Sequence, residues 1–91
     1  MISRTATIRN RNGIHVRPSK VIAAAVADYT GSITIRKDSY TIDRVNAMNL
    51  LSMGLIEGDT IEITVAGDQE AQVADNLVDL FETRFDFPPR S

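Results

Sequence analysis

The chain opens with a two-residue alternation. Ile2, Arg4, Ala6 and Ile8 fall on one face of an extended segment, and Ser3, Thr5, Thr7 and Arg9 on the other, which predicts a strand over 2–9. Arg4 is then an inner position that must snorkel to water. Asn10-Arg11-Asn12-Gly13 ends the strand with turn residues. Pro18 marks the first turn of a helix, where its missing N–H does no harm. That helix is expected to run to about Tyr29, with Val21, Ile22, Ala25, Val26 and Tyr29 as its apolar stripe. Alternation returns over Ser32–Lys37, with Ile33 and Ile35 together, then a turn at Asp38-Ser39 and a return strand over Tyr40–Asp43, so a hairpin is predicted. Asn46–Met53 reads as a short helix with Asn46 as N-cap and Gly54 closing it in the left-handed region. Thr60–Ala66 is the clearest strand, with Ile61, Ile63 and Val65 inward and Glu62 and Thr64 outward. Asp68 is the expected N-cap of a last helix with Glu70 in its first turn and Ala74, Leu77, Val78, Phe81 and Phe85 as its buried stripe.

The order β-α-β-β-α-β-α predicts an α+β fold of two layers: a four-stranded antiparallel sheet covered on one face by three helices. The other face, rich in Thr and charge, is expected to be solvated. Residues 1–87 form one domain and 88–91 a tail, since Phe87-Pro88-Pro89 cannot extend a helix. A chain of 91 residues buries only about 60–65% of its unfolded surface, which leaves no room for a large scaffold with a deep cleft. It has no cysteine and one histidine, so disulfide frameworks and Cys/His zinc sites are excluded. No spacing of carboxylates suggests a metal, and nothing suggests a cofactor. Asp38, Asp43, Glu57 and Asp59 read as solvated loop charges. The apolar stretch Val21–Ala27 is too short to cross a bilayer, and the N-terminus lacks the apolar run of a signal peptide, so a soluble cytoplasmic protein is expected.

The net charge of −2 conceals an asymmetry: residues 1–44 carry +5 and residues 45–91 carry −7. Either this is chance combined with acidic helix starts, or the basic residues converge into a docking surface for an acidic protein or a phosphate. Nucleic acid is not expected of an acidic chain without a Lys/Arg cluster.

His15 sits between the Asn12-Gly13 turn and the helix opening at Arg17-Pro18. A lone histidine is usually inert, but these neighbours suit chemistry. A helix N-terminus is an anion site, and the positive end of its dipole favours the neutral, nucleophilic imidazole. Arg17 can hold a tetrahedral anion by charge-assisted bonds. Gly13 allows a positive φ or a close backbone approach. These parts suit transient phosphorylation. Asn12 braces either the turn or the His15 ring, or is a plain turn residue. Met48, Leu50, Leu51 and Met53 exceed what one face of a short helix buries, so either some of them form an exposed docking patch or all pack inward.

Gly13-Ile14-His15-Val16-Arg17-Pro18-Ser19 resembles the active-site signature of the HPr family, histidine phosphocarriers of the bacterial phosphotransferase system. The element order and Leu50-Leu51-Ser52-Met53-Gly54, Gly58 and Gly67-Asp68 agree with that family, over roughly residues 2–86. The resemblance implies an open-faced β-sandwich. It implies phosphoryl transfer from enzyme I to Nδ1 of His15 with Arg17 stabilising the phosphate, then onward to an IIA domain, by a monomeric carrier that is not itself an enzyme. Asn12, Gly13, Val16, Pro18, Lys20, Met48 and Leu51 become the expected phosphate- and partner-binding residues. Two departures stand out. Ser19 occupies a place where alanine is usual. Many relatives carry Lys-Ser at the start of the second helix, the serine being a kinase target, and counting without gaps places Val45-Asn46 there. The Asn-Ala-x-x-Leu-Leu texture of that helix is closer to the nitrogen-branch paralogue. The alternative function is accordingly a regulatory module that docks in one phosphorylation state, and the bland one is a small domain with an unused histidine.

Overall fold

The computed structural model describes residues 1–85. Its elements are β1 (Ile2–Thr7), α1 (Val16–Ala25), β2 (Ser32–Lys37), β3 (Tyr40–Ile42), α2 (Ala47–Ser52), β4 (Thr60–Ala66) and α3 (Glu70–Phe81). The strands form one antiparallel sheet in the order β1-β4-β2-β3. Ala6 faces Ile61 across one ladder, Ile35 faces Ile63 across the next, and Ile42 faces Ile35 at the far edge. The register therefore puts the apolar half of every strand on one side, where Ile22 of α1, Leu50 of α2 and Ala74, Leu77 and Phe81 of α3 complete the core. The opposite face carries Ser3, Thr5, Thr34, Arg36, Glu62 and Thr64, joined by a Ser3–Thr64 hydroxyl bond of 3.0 Å and an Arg36–Glu62 ion pair of 2.7 Å. Arg4, the odd residue of the inner face, escapes sideways to Asp75 on α3, 2.9 Å away.

Several boundaries differ from expectation. β1 stops at Thr7, because Ile8 exchanges its backbone bonds with the loop before β4 instead of with the ladder: its N–H donates to the Asp59 carbonyl and its carbonyl accepts from Gly58, each at 2.8 Å. β3 ends at Ile42, one residue short of Asp43. α1 starts at Val16 and ends at Ala25, where i→i+3 bonds from Val26 and Ala27 unwind it. Tyr29 then lies outside the helix, its hydroxyl donating to the Asp68 carbonyl at 2.8 Å. The buried face of α1 is Pro18, Ser19 and Ile22, with Val26 half-buried, while Val21 and Ala25 are exposed. The stripe is thus rotated by about one residue from the expected one. Counting Pro18 and Ser19 as helix opening rather than as core hid this. Ser19 is buried, with its hydroxyl directed to the Ile14 carbonyl at 3.4 Å.

The cap of α3 is Gln69 in the left-handed region, φ 50°, and not Asp68. Glu70 does the tying instead: its carboxylate accepts from the Gly67 N–H at 3.1 Å and from the N-terminal amine at 2.9 Å. Those bonds hold its carboxyl below the usual carboxylate range. α3 ends at Phe81, so Phe85, half-buried, follows the helix rather than extending its stripe. The expected tail 88–91, like Phe87, lies outside the described residues. No helix among the described residues is long and apolar enough to cross a membrane.

Candidate functional site

The site is built on the loop between β1 and α1. The Asn10–Gly13 turn is closed by a main-chain bond from the Gly13 N–H to the Asn10 carbonyl, 2.9 Å. A second bond runs from Asn10 Nδ2 to the Gly13 carbonyl, 2.8 Å. Gly13 has φ +72°, and a Cβ there would collide with the Leu55 carbonyl oxygen. The same oxygen accepts the Ile14 N–H at 3.0 Å, and the Ile14 side chain is buried in the core. The loop is thereby pinned to the segment after α2.

His15 follows directly. It is the N-cap of α1, with extended backbone (φ −89°, ψ −160°), and its carbonyl accepts the Ser19 N–H at 3.0 Å. Its side chain is half-exposed. Helix geometry aims the first-turn amides, those of Val16 and Arg17, out of the N-terminal end, and Pro18, third in the helix, contributes none. Arg17 is exposed in that same turn and donates from Nη2 to the Phe85 carbonyl at 3.0 Å. The arrangement offers a reachable imidazole, helix-end amides and a guanidinium on a fixed main chain. Such a set can hold a small dianion against a ring nitrogen. Among the described residues no group of three His, Cys, Asp or Glu could hold a metal ion.

The remaining site residues separate into two kinds. Gly13 and Pro18 are buried, so they shape the backbone and do not face a partner. Asn12 and Lys20 are exposed, and the bond that braces the turn comes from Asn10 rather than from Asn12. The Leu/Met-rich helix divides cleanly: Leu50 and Met53 are core, while Met48 is 79% exposed and Leu51 40%. Val16, 52% exposed, flanks the histidine on α1, which packs against α2. Two exposed apolar residues escaped the sequence reading, Val21 and Ile56, the latter 62% exposed. Loop placement hid Ile56, and the rotated stripe hid Val21. Asn46 caps α2 as expected, its Oδ1 accepting the Asn49 N–H at 2.8 Å. Ser52, the other hydroxyl on that helix, is tied to the Asn49 carbonyl at 2.6 Å and to the Tyr40 hydroxyl at 2.8 Å.

The charge asymmetry is spent largely within the fold. Arg4–Asp75, Arg9–Glu82, Arg36–Glu62 and Lys37–Asp59 pair a base of the first half with an acid of the second, at 2.9, 3.8, 2.7 and 2.9 Å. Asp59 is therefore not a solvated loop charge. It accepts from Lys37 and from the Ile56 N–H, and those bonds hold its carboxyl below the usual range. Arg11, Arg17 and Lys20, all exposed, are the bases left beside His15 along the chain.

This fold and this helix-start histidine define an open-faced α+β carrier domain. A family model described as "PTS HPr component phosphorylation site" matches residues 2–83, and the chain belongs to the HPr family of phosphocarrier proteins of the phosphotransferase system. It is 26% identical over 86 residues to the phosphocarrier protein HPr of Treponema pallidum, covering 94% of this chain and 98% of that one. With the HPr of Borreliella burgdorferi it shares 29% over 83 residues, 91% and 96% of the two chains. A solved HPr from Thermoanaerobacter tengcongensis superposes with a TM-score of 0.85 at 27% identity, covering 97% of this chain and 99% of that one. The chain also matches, at 23% identity over 84% of its length, a segment making up 16% of the multiphosphoryl transfer protein of Haemophilus influenzae.

Proposed function

We propose that His15 accepts a phosphoryl group from enzyme I on Nδ1 and passes it to an IIA-type acceptor, in the cytoplasm, without metal or cofactor. The observation that carries this reading is the placement of His15 as the N-cap of α1 with Arg17 in the same first turn. In the transfer the ring nitrogen forms the new P–N bond while the donor's bond to phosphorus breaks. The carrier supplies the nucleophile and the anion contacts, and its partners supply the catalysis. Arg17 exchanges acceptors as the phosphate arrives. Its present bond is to a neutral carbonyl, worth about 0.5–1.5 kcal/mol, whereas a bond to a charged group is worth about 1.5–3 kcal/mol. Val16, Lys20, Met48 and Leu51 form the partner-facing rim.

Asn46 at the N-cap of α2 favours a carrier outside serine-kinase control, because it keeps the capping oxygen and has no hydroxyl to phosphorylate. The regulatory reading shares His15 and differs only in its acceptor. Incubation with enzyme I and phosphoenolpyruvate, followed by intact mass, should add one phosphoryl group that is acid-labile and base-stable. His15→Ala should take none. Arg17→Ala should fold normally and be phosphorylated much more slowly. Persistent phosphorylation of the His15→Ala protein would overturn the assignment.

A further inference from the structure

We propose that Asn10 is a positioning residue for the phosphoryl acceptor, acting through the peptide between Gly13 and Ile14; the proposal rests on the reading of His15 above. Asn10 is a polar side chain that is 0% exposed, five residues ahead of the histidine. One backbone bond, from the Gly13 N–H to the Asn10 carbonyl, already closes the turn. It leaves the next peptide undetermined, because Gly13 lies at φ +72° with no side chain to restrict its ψ. That peptide is held at both ends. Its oxygen accepts from Asn10 Nδ2 at 2.8 Å, and its N–H donates to the Leu55 carbonyl at 3.0 Å. The Asn10 side chain thus fixes the tilt of the last peptide plane before the one that leads into His15. A tilt there moves the cap residue relative to the first-turn amides that must meet the phosphoryl oxygens. Errors of about 1 Å in such alignments slow reactions by about a hundredfold.

A merely stabilising Asn10 and a positioning Asn10 make different predictions for a folded variant. Asn10→Ala removes the donor, and Ile33→Val, in the core at the far end of β2, serves as a destabilised control. Both are compared with the wild type well below their melting temperatures. One arm measures kcat and KM for phosphorylation by enzyme I. The other uses phosphoramidate, which needs no docking: the ring nitrogen bonds phosphorus, the P–N bond of phosphoramidate breaks, and ammonia leaves with the ring proton as ammonium.

The expected result is a rate about tenfold or more lower for Asn10→Ala in both arms, with KM within about twofold of wild type and Ile33→Val unaffected. A folded Asn10→Ala protein that reacts within about twofold of wild type, or that changes only in KM, overturns the proposal. Should the alanine variant not fold, Asn10→Ser, whose hydroxyl stops about one bond short of the Gly13 oxygen, is judged by the same limits. A wild type that takes phosphate from neither donor overturns the His15 reading and this proposal with it, whereas a phosphorylated wild type matched by its variant overturns this proposal alone.

Discussion

Replacing Gly13 by alanine tests the architecture of the loop directly. Gly13 lies at φ +72°, and an L-residue held in the left-handed region loses roughly 1–2 kcal/mol. The added Cβ would also run into the Leu55 carbonyl oxygen, with Ile56 Cα at 3.0 Å and the Leu55 carbonyl carbon at 3.1 Å. These are main-chain atoms, so no rotamer change relieves them. The loop must move, and the first bond lost is that from the Ile14 N–H to the Leu55 carbonyl. A buried N–H stripped of its acceptor costs about 1–3 kcal/mol. Together the terms give about 2–5 kcal/mol, a large share of the stability of a domain this small. At about 4–8 °C per kcal/mol, the melting temperature should fall by at least about 10 °C. Gly54→Ala is the control: it has a comparable φ of +60° and nothing within 4 Å of the new Cβ. It should carry the conformational strain alone and lose about 5 °C. Thermal melts followed by circular dichroism decide the matter. Equal losses for the two alanines would show that the close approach to Leu55 is not what demands a glycine at residue 13.

Asn46→Ala should lower stability by about 0.5–2 kcal/mol in urea denaturation, because it removes the oxygen that accepts the Asn49 N–H. Asn46→Ser should keep most of that stability and, with a serine kinase of this family and ATP, gain a phosphoserine that the wild type lacks. Asp59 has its folded pKa lowered, so the stability it adds is present above its ordinary carboxylate range and is lost as the pH falls through the folded value. The difference in urea midpoint between wild type and Asp59→Asn should shrink on acidification through that window, and a constant difference would show that the Lys37 pair contributes nothing. Docking to enzyme I should weaken as salt rises and lose most of that salt dependence in an Arg11→Ala/Lys20→Ala protein, whereas Met48→Ala should weaken it at every ionic strength.

The strands were legible because threonine and isoleucine alternate cleanly, and one face of each is either core or water. Ile61, Ile63 and Val65 could go nowhere but inward. The Asn46 cap and the left-handed Gly54 were legible for a similar reason, since both are local rules of backbone hydrogen bonding. The misreadings are all tertiary. α1 is rotated because Pro18 and Ser19 pack inward, which no window of the sequence signals. Glu70 takes over from Asp68 because its carboxylate finds the N-terminus across the sheet edge. Of the site, His15, Gly13 and Arg17 stood out by chemistry. Asn10 did not, since it gains meaning only once the Gly13 carbonyl is known to be buried beside it. The Arg17–Phe85 contact joins residues 68 apart, and no local pattern foretells it.

A carrier that meets two partners in turn has opposing needs, and the loop and the rim divide them. The phosphorylated ring must present the same geometry to donor and acceptor, which calls for a backbone that does not yield. Residues 10–14 meet this with four hydrogen-bonded constraints and a glycine set against a carbonyl. The rim needs the reverse, a surface that two differently shaped partners can each cover without holding. Met48 and Leu51 on α2 and Val16 on α1 are exposed, and an unbranched thioether side chain such as Met48 refills gaps at little strain. Such side chains lose rotamer freedom on docking, roughly 0.5–1.5 kcal/mol each, which subtracts from the apolar gain and keeps complexes short-lived. Stiffening this rim, for instance by Met48→Ile, should therefore favour one partner at the expense of the other, while leaving the partner-free reaction with phosphoramidate unchanged.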